Sequence, residues 1–189
     1  MQVIRTTEFE NWLNKESAKI QALVESRVFR IEQYDHLGDA KHLGDGLSEL
    51  RWKNGLRVYF ARVSQRVVLL IHGGGKMHKK ATSKKRELSL DDIPIRRLKT
   101  GAGTVKTSSA KRLQDQELVF RAFWQCLIDK DIESFKEILR SHLDAVNKGS
   151  LAKRSKTSRR TLHRILSPEG NPTLKSISNV IHALYGGGI

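Results

Sequence analysis

Six side chains in the first 76 residues are of types suited to phosphodiester chemistry: Lys41, Arg51, Arg57, Tyr59, Arg62 and Lys76. Arg51, Arg57, Tyr59 and Arg62 fall at or near the ends of segments that read as strands. Lys41 falls in the loop before the first hairpin strand, and Lys76 follows the run Gly73-Gly74-Gly75. Guanidinium and ammonium groups hold a phosphate and stabilise the charge that grows on it in a transition state. RNA brings its own nucleophile, the 2′-hydroxyl, so the set requires no metal and implies no cofactor. It reads as cations with one phenol and no carboxylate: no acidic pair, metal cluster or Cys/His dyad accompanies it, and His36, His42, His72 and His78 lack zinc-ligand spacing. Spacing alone leaves a second reading open, in which arginines on an exposed strand face are solvated surface. The glycine run matches no nucleotide-binding fingerprint.

A second group lies near the C-terminus. A short helix from Leu151 to Ser155, a turn at Lys156 and Thr157, and a helix capped by Ser158 form a helix-turn-helix pattern. Arg159, Arg160, Thr161, His163 and Arg164 point outward from the second of these helices, within reach of base edges. Lys153, Arg154, Lys156 and Ser158 are placed to touch phosphate. A basic amphipathic helix in a small bundle has the same pattern, so the motif alone does not decide.

The elements that carry these residues differ in hydrophobic period. Residues 1–6 are β-prone, and Thr7 is the expected cap of a helix with Phe9, Trp12 and Leu13 on its apolar side. Ile20, Leu23, Val24, Val28 and Ile31 recur at three- and four-residue spacing and mark a second helix. The period then falls to two. Residues 47–52, 56–62 and 67–71 read as strands joined by turns at Gly55 and at Ser64-Gln65. The expected order is β-α-α-β-β-β, an α+β domain of two helices on a small antiparallel sheet. Helical period returns after residue 115. Leu118, Val119, Ala122, Phe123, Cys126 and Leu127 mark one helix, with Cys126 expected as a core thiol. Ile132, Phe135, Ile138, Leu139, His142, Leu143 and Val146 mark the next, closed by Gly149, with His142 expected partly buried and not a ligand. Thr173 is the expected cap of a last helix through Leu184.

Charge supplies the boundaries. The 189 residues hold 35 Lys and Arg against 20 Asp and Glu, a net of +15. Residues 1–76 have 12 basic and 9 acidic side chains, residues 77–114 have 11 and 3, and residues 115–189 have 12 and 8. About half the excess charge therefore lies in 77–114, a stretch with Pro94, Gly101, Gly103 and several Ser and Thr. It reads as a flexible basic linker between an α+β domain (1–76) and an all-α helix-turn-helix domain (115–189). One cysteine excludes an internal disulfide framework. The longest apolar run, 67–71, is far too short to span a membrane, and the first 20 residues lack a signal-peptide core. A cytoplasmic protein with a polyanionic partner, and no membrane partner, is expected.

Two stretches resemble known families. Gly38-Asp39-Ala40-Lys41, then 44–51 (Gly-Asp-Gly-Leu-Ser-Glu-Leu-Arg), 56–62 (Leu-Arg-Val-Tyr-Phe-Ala-Arg) and 67–76 (Val-Val-Leu-Leu-Ile-His-Gly-Gly-Gly-Lys) resemble, in order, the RelE/HigB toxins of the "addiction module killer" branch. The resemblance implies a RelE-like fold and a ribosome-dependent endoribonuclease acting on mRNA, with Lys41, Arg51, Arg57, Tyr59 and Lys76 in its active site. Leu151-Ala152-Lys153 and 158–174, with the run Leu-Ser-Pro-Glu-Gly-Asn-Pro-Thr, resemble the HigA-type "addiction module antidote" family over about 115–185. That implies a dimeric repressor that binds operator DNA and neutralises the toxin, within one chain or between chains. The chain departs from the toxin family at Gly75, where Asp or Asn is usual, and after Met77, where the family's C-terminal helix gives way to polar, basic sequence. The expectation is a toxin–antitoxin fusion, and the alternative is a catalytically dead fusion acting only as a repressor. Met77, where the halves join, is a candidate internal start for the antitoxin half.

Overall fold

The computed structural model describes residues 1–44, 46–65, 67–74, 103–105, 107–146, 160, 167, 170 and 173–185. They form a mixed α and β structure with one six-stranded sheet and six helices. Compact packing divides the chain into two units, Met1–Glu16 with Arg27–Ser108, and Ser17–Ser26 with Ser109–Ile189.

In the first unit, β1 (Gln2–Thr6) leads into α1 (Thr7–Leu13). The cap of α1 is Thr6, one residue before the expected Thr7. The Thr6 hydroxyl accepts from the Phe9 amide at 3.1 Å, while Thr7 begins the helix and donates its hydroxyl to the Gly103 carbonyl at 2.9 Å. Helix α2 (Ala18–Tyr34) follows, then β2 (Ala40–Gly44), β3 (Leu47–Arg51), β4 (Arg57–Ser64) and β5 (Val67–Gly74). A two-residue strand, β6 (Thr104–Val105), completes the sheet order β2-β3-β4-β5-β1-β6.

Three features differ from the expected sheet. First, β1 pairs parallel with β5, Val3 opposite Val68, although the other pairs are antiparallel. The long excursion through two helices and three strands brings the chain back in the direction of β1, as a crossover does. Second, the loop expected at Lys41 is a strand. It has no apolar alternation because it is the edge of the sheet, with Lys41, His42 and Leu43 exposed. Third, part of the expected linker is ordered: β6 pairs with β1, and α3 (Ser109–Gln114) buries Leu113 completely. Residues 77–102, Met77 among them, lie outside the described residues.

One face of the sheet is apolar. Leu50 and Val58 are paired across β3 and β4, and Phe60 and Leu70 across β4 and β5, all buried with Phe9, Leu13, Val28 and Ile31. Gly73 is required by close approach. A β-carbon there would fall 2.1 Å from the Trp12 indole, so only a hydrogen leaves the ring room to lie on β5. The turn from β3 to β4 needs Gly55, whose φ is +93°.

The second unit is helical. Besides α3 it holds α4 (Gln116–Ile128), α5 (Ile132–Ala145) and α6 (Leu174–Tyr185), together with the first half of α2. Asp115 and Asp131 cap α4 and α5, and Thr173 accepts from the Ser176 amide at the start of α6. The buried core contains Leu23, Leu113, Val119, Phe123, Phe135, Ile138, Leu139 and Val180. Cys126 is a fully buried thiol, its pKa pushed up to about 12 by burial. Gly149 and the two helices of the expected helix-turn-helix lie outside the described residues, except for Arg160, which is helical and exposed.

His142 is more deeply buried than expected. Its Nδ1 donates to the Leu113 carbonyl at 2.5 Å, and its Nε2 accepts from the Tyr185 hydroxyl at 3.3 Å. Burial holds its pKa below the usual histidine value, opposed by the Leu113 carbonyl, so the folded chain favours neutral imidazole. The unfolded chain therefore takes the proton first. The stability this gives is fully present above about pH 6.5 and is lost as pH falls below that toward the folded value. The denaturant midpoint of this unit should drop between pH 7 and pH 5, and His142→Gln should flatten that slope. An equal slope in the variant would remove His142 as the cause.

Candidate functional site

Register places the first group of candidates. Lys41 on β2 is opposite Glu49 on β3, Glu49 is opposite Tyr59 on β4, and Tyr59 is opposite His72 on β5. Arg51 is opposite Arg57, two residues along the same strands. Directly opposed residues, and residues two apart on a strand, share a face. Lys41, Arg51, Arg57 and Tyr59 are thus together on one face, turned away from Leu50 and Val58. Alternation puts Arg62 on the other face, and Lys76 lies outside the described residues.

The expected absence of a carboxylate is corrected here. Glu49 is in the same row as Lys41 and Tyr59, and its Oε2 is 3.8 Å from Arg57 Nε, with both side chains largely covered. Asp39 accepts from Arg51 Nε at 3.0 Å and from Nη2 at 2.6 Å, in a more exposed setting. A reading of cation positions alone misses both. Glu49 was legible from the alternation Leu47, Glu49, Arg51 once β3 and β4 were paired. Asp39 was not, because it precedes the edge strand.

Arg57 is the most constrained of the described cations on this face. Its Nη1 donates to the Trp52 carbonyl at 3.1 Å and the Leu56 carbonyl at 2.8 Å, which fixes the guanidinium plane. Its Nη2 makes no hydrogen bond among the described residues, and that edge is the one left for an anion. Tyr59 is half-buried. Burial raises its pKa, Glu49 adds to the rise and Arg57 opposes it, so the phenol keeps its proton and serves as a donor. The His72 ring lies 6.1 Å from the Trp12 ring, and its Nδ1 accepts from the Gly73 amide at 2.6 Å. Two guanidiniums, an ammonium, a carboxylate, a phenol and an imidazole on one face can hold a phosphodiester and move protons around it.

The nucleic-acid candidates are less fully placed. Lys153, Arg154, Lys156, Ser158, Arg159, Thr161, His163 and Arg164 lie outside the described residues. No described helix is long and apolar enough to cross a membrane.

No protein-family model matches the chain, and no solved structure matches it. A protein of Haemophilus influenzae, described only as uncharacterized, is 30% identical over 98 residues, a stretch covering 50% of this chain and 98% of that protein. The chain belongs to the family of that protein.

Proposed function

We propose that the chain is a fused toxin and antitoxin. The first half is a metal-independent endoribonuclease acting on mRNA at the ribosome. The second is a homodimeric helix-turn-helix repressor that binds operator DNA and neutralises the first half. The observation that supports the nuclease most is the shared face of Lys41, Glu49, Arg51, Arg57 and Tyr59. In that reading Glu49 takes the proton from the 2′-hydroxyl, whose oxygen attacks the adjacent phosphorus. The bond from phosphorus to the 5′ oxygen breaks, leaving a 2′,3′-cyclic phosphate and a 5′-hydroxyl. Arg57 and Arg51 stabilise the charge gained by the phosphate oxygens, Lys41 holds the strand, and the leaving 5′ oxygen takes its proton from water.

A second reading has its own support. Arg51 meets Asp39 and Arg57 meets Glu49, so each guanidinium already has an acidic neighbour. A face so neutralised fits the alternative of an inactive first half and a chain that acts through DNA alone. Residues 1–76 added to translating ribosomes, with and without residues 77–189, separate the two by primer extension on the mRNA, and full-length protein is footprinted on the promoter DNA of its own gene. New 5′ ends within translated codons support the nuclease. A footprint with intact mRNA leaves the repressor alone, and no footprint at any salt concentration rejects that role.

A further inference from the structure

The second compact unit is not built from the second half of the chain alone. It includes Ser17–Ser26, with the start of α2, which the sequence places in the first half. Ala22, Leu23, Val24, Glu25 and Ser26 are buried in succession, and five residues go once round a helix. Leu23 and Val24 belong on a buried face by type. Lys19, Glu25 and Ser26 are types that a helix on the outside of an α+β domain turns to water, yet all three are buried.

Each of the three is met by a group from α3, α5 or the turn between α4 and α5. Lys19 Nζ lies 2.8 Å from both Asp129 Oδ2 and Asp131 Oδ2. Glu25 Oε1 lies 3.5 Å from Arg112 Nε. The Ser26 carbonyl accepts from the Ser141 hydroxyl at 3.4 Å. The cation of α2 thus meets carboxylates and its anion meets a guanidinium, so charge is matched at two places of opposite sign. An apolar core has no use for such matching, whereas a surface that selects one segment in one direction does. A helix entering the other way would turn Lys19 toward Arg112 and Glu25 toward the two aspartates.

We propose that α3, α4 and α5 form a docking surface for residues 17–26, through which the C-terminal half holds the N-terminal half of the same chain. That the held state is the neutralised one rests on the toxin and antitoxin reading above. The docking itself does not.

A full-length chain with a specific-protease site inserted after residue 90 tests it. Cut and then diluted over a concentration series, the two pieces of the wild type should sediment together. The pieces also share the short pairing of β6 with β1, so variants decide. Lys19→Glu and Arg112→Glu, each with a wild-type circular dichroism spectrum before cutting, should raise the dissociation constant of the pieces by roughly tenfold. Asp129→Lys should recover much of that loss in the Lys19→Glu chain, with Asp131 kept as the cap of α5. Wild-type pieces that part at once, or variant pieces that hold as tightly as the wild type, overturn the docking surface. A loss that Asp129→Lys leaves unchanged overturns its charge matching. The same cut chains, added to a translating extract, test the neutralised state separately. mRNA cleaved by the parted Lys19→Glu pieces and not by the wild type supports it. Parted pieces that leave the mRNA intact overturn the nuclease reading and leave the docking surface standing.

Discussion

Arg57→Ala should lower ribosome-dependent mRNA cleavage by about 10²–10³-fold, the loss seen when one donor aimed at a developing oxyanion is removed. The size follows from how the side chain is held. Arg57 Nη1 is tied to the Trp52 and Leu56 carbonyls and Nε faces Glu49, so the free Nη2 edge is oriented before substrate arrives. Arg51, bound to Asp39 in a more open setting, is less constrained and should matter less. Arg57→Lys should not restore the rate, because an ammonium cannot make both carbonyl contacts and present a planar edge. Glu49→Gln separates the roles. If Glu49 takes the 2′-hydroxyl proton, the variant loses cleavage yet binds RNA at least as well as the wild type, since a negative charge has left the face. A denaturant midpoint for Arg57→Ala close to the wild type, with cleavage gone, assigns the loss to chemistry. A rate within threefold of the wild type removes Arg57 from the mechanism.

How much of this was legible depended on whether burial or pairing fixed the element. α4 and α5 follow from Val119, Phe123, Phe135 and Leu139, whose helical spacing is the imprint of a buried face. β4 follows from the alternation of Leu56, Val58 and Phe60, all buried. β2 carries no such imprint, because Lys41, His42 and Leu43 face water and the strand pairs with β3 at the sheet edge. α3 was hidden for the opposite reason: one buried apolar residue, Leu113, anchors it within a basic stretch that reads as linker. The cations of the candidate face could be picked out by type. Their carboxylate partners needed register, because Glu49 meets Arg57 across strands and nothing local connects them. Helix α2 reads as one amphipathic helix, and its period gives no sign that Ser17–Ser26 groups with one compact unit and the rest with the other.

That division gives Lys19 unusual weight within the second unit. Its ammonium donates to Asp129 Oδ2 and lies 2.8 Å from Asp131 Oδ2, with only 10% of the side chain exposed. Asp131 also caps α5 through Ser134, and Asp129 ends α4. Burial alone would lower the Lys19 pKa, yet the two carboxylates raise it, and Lys19 in turn helps hold both below the usual carboxylate range. The raised lysine contributes stability below about pH 10 and loses it as pH rises through its folded value. The lowered aspartates contribute above about pH 4 and lose it as pH falls through theirs. Lys19→Met should therefore destabilise this unit near pH 7, by less than the loss of a fully buried pair, because Asp129 is partly solvated. Trp124 reports unfolding of this unit when Trp12 and Trp52 of the other are replaced by Phe. Adding Asp129→Asn and Asp131→Asn to Lys19→Met should recover part of the loss, since two carboxylates without their cation repel each other and two amides do not. A Lys19→Met midpoint equal to the wild type, or a triple variant weaker than the single, would show that helix packing, not this ion cluster, holds the start of α2 in the second unit.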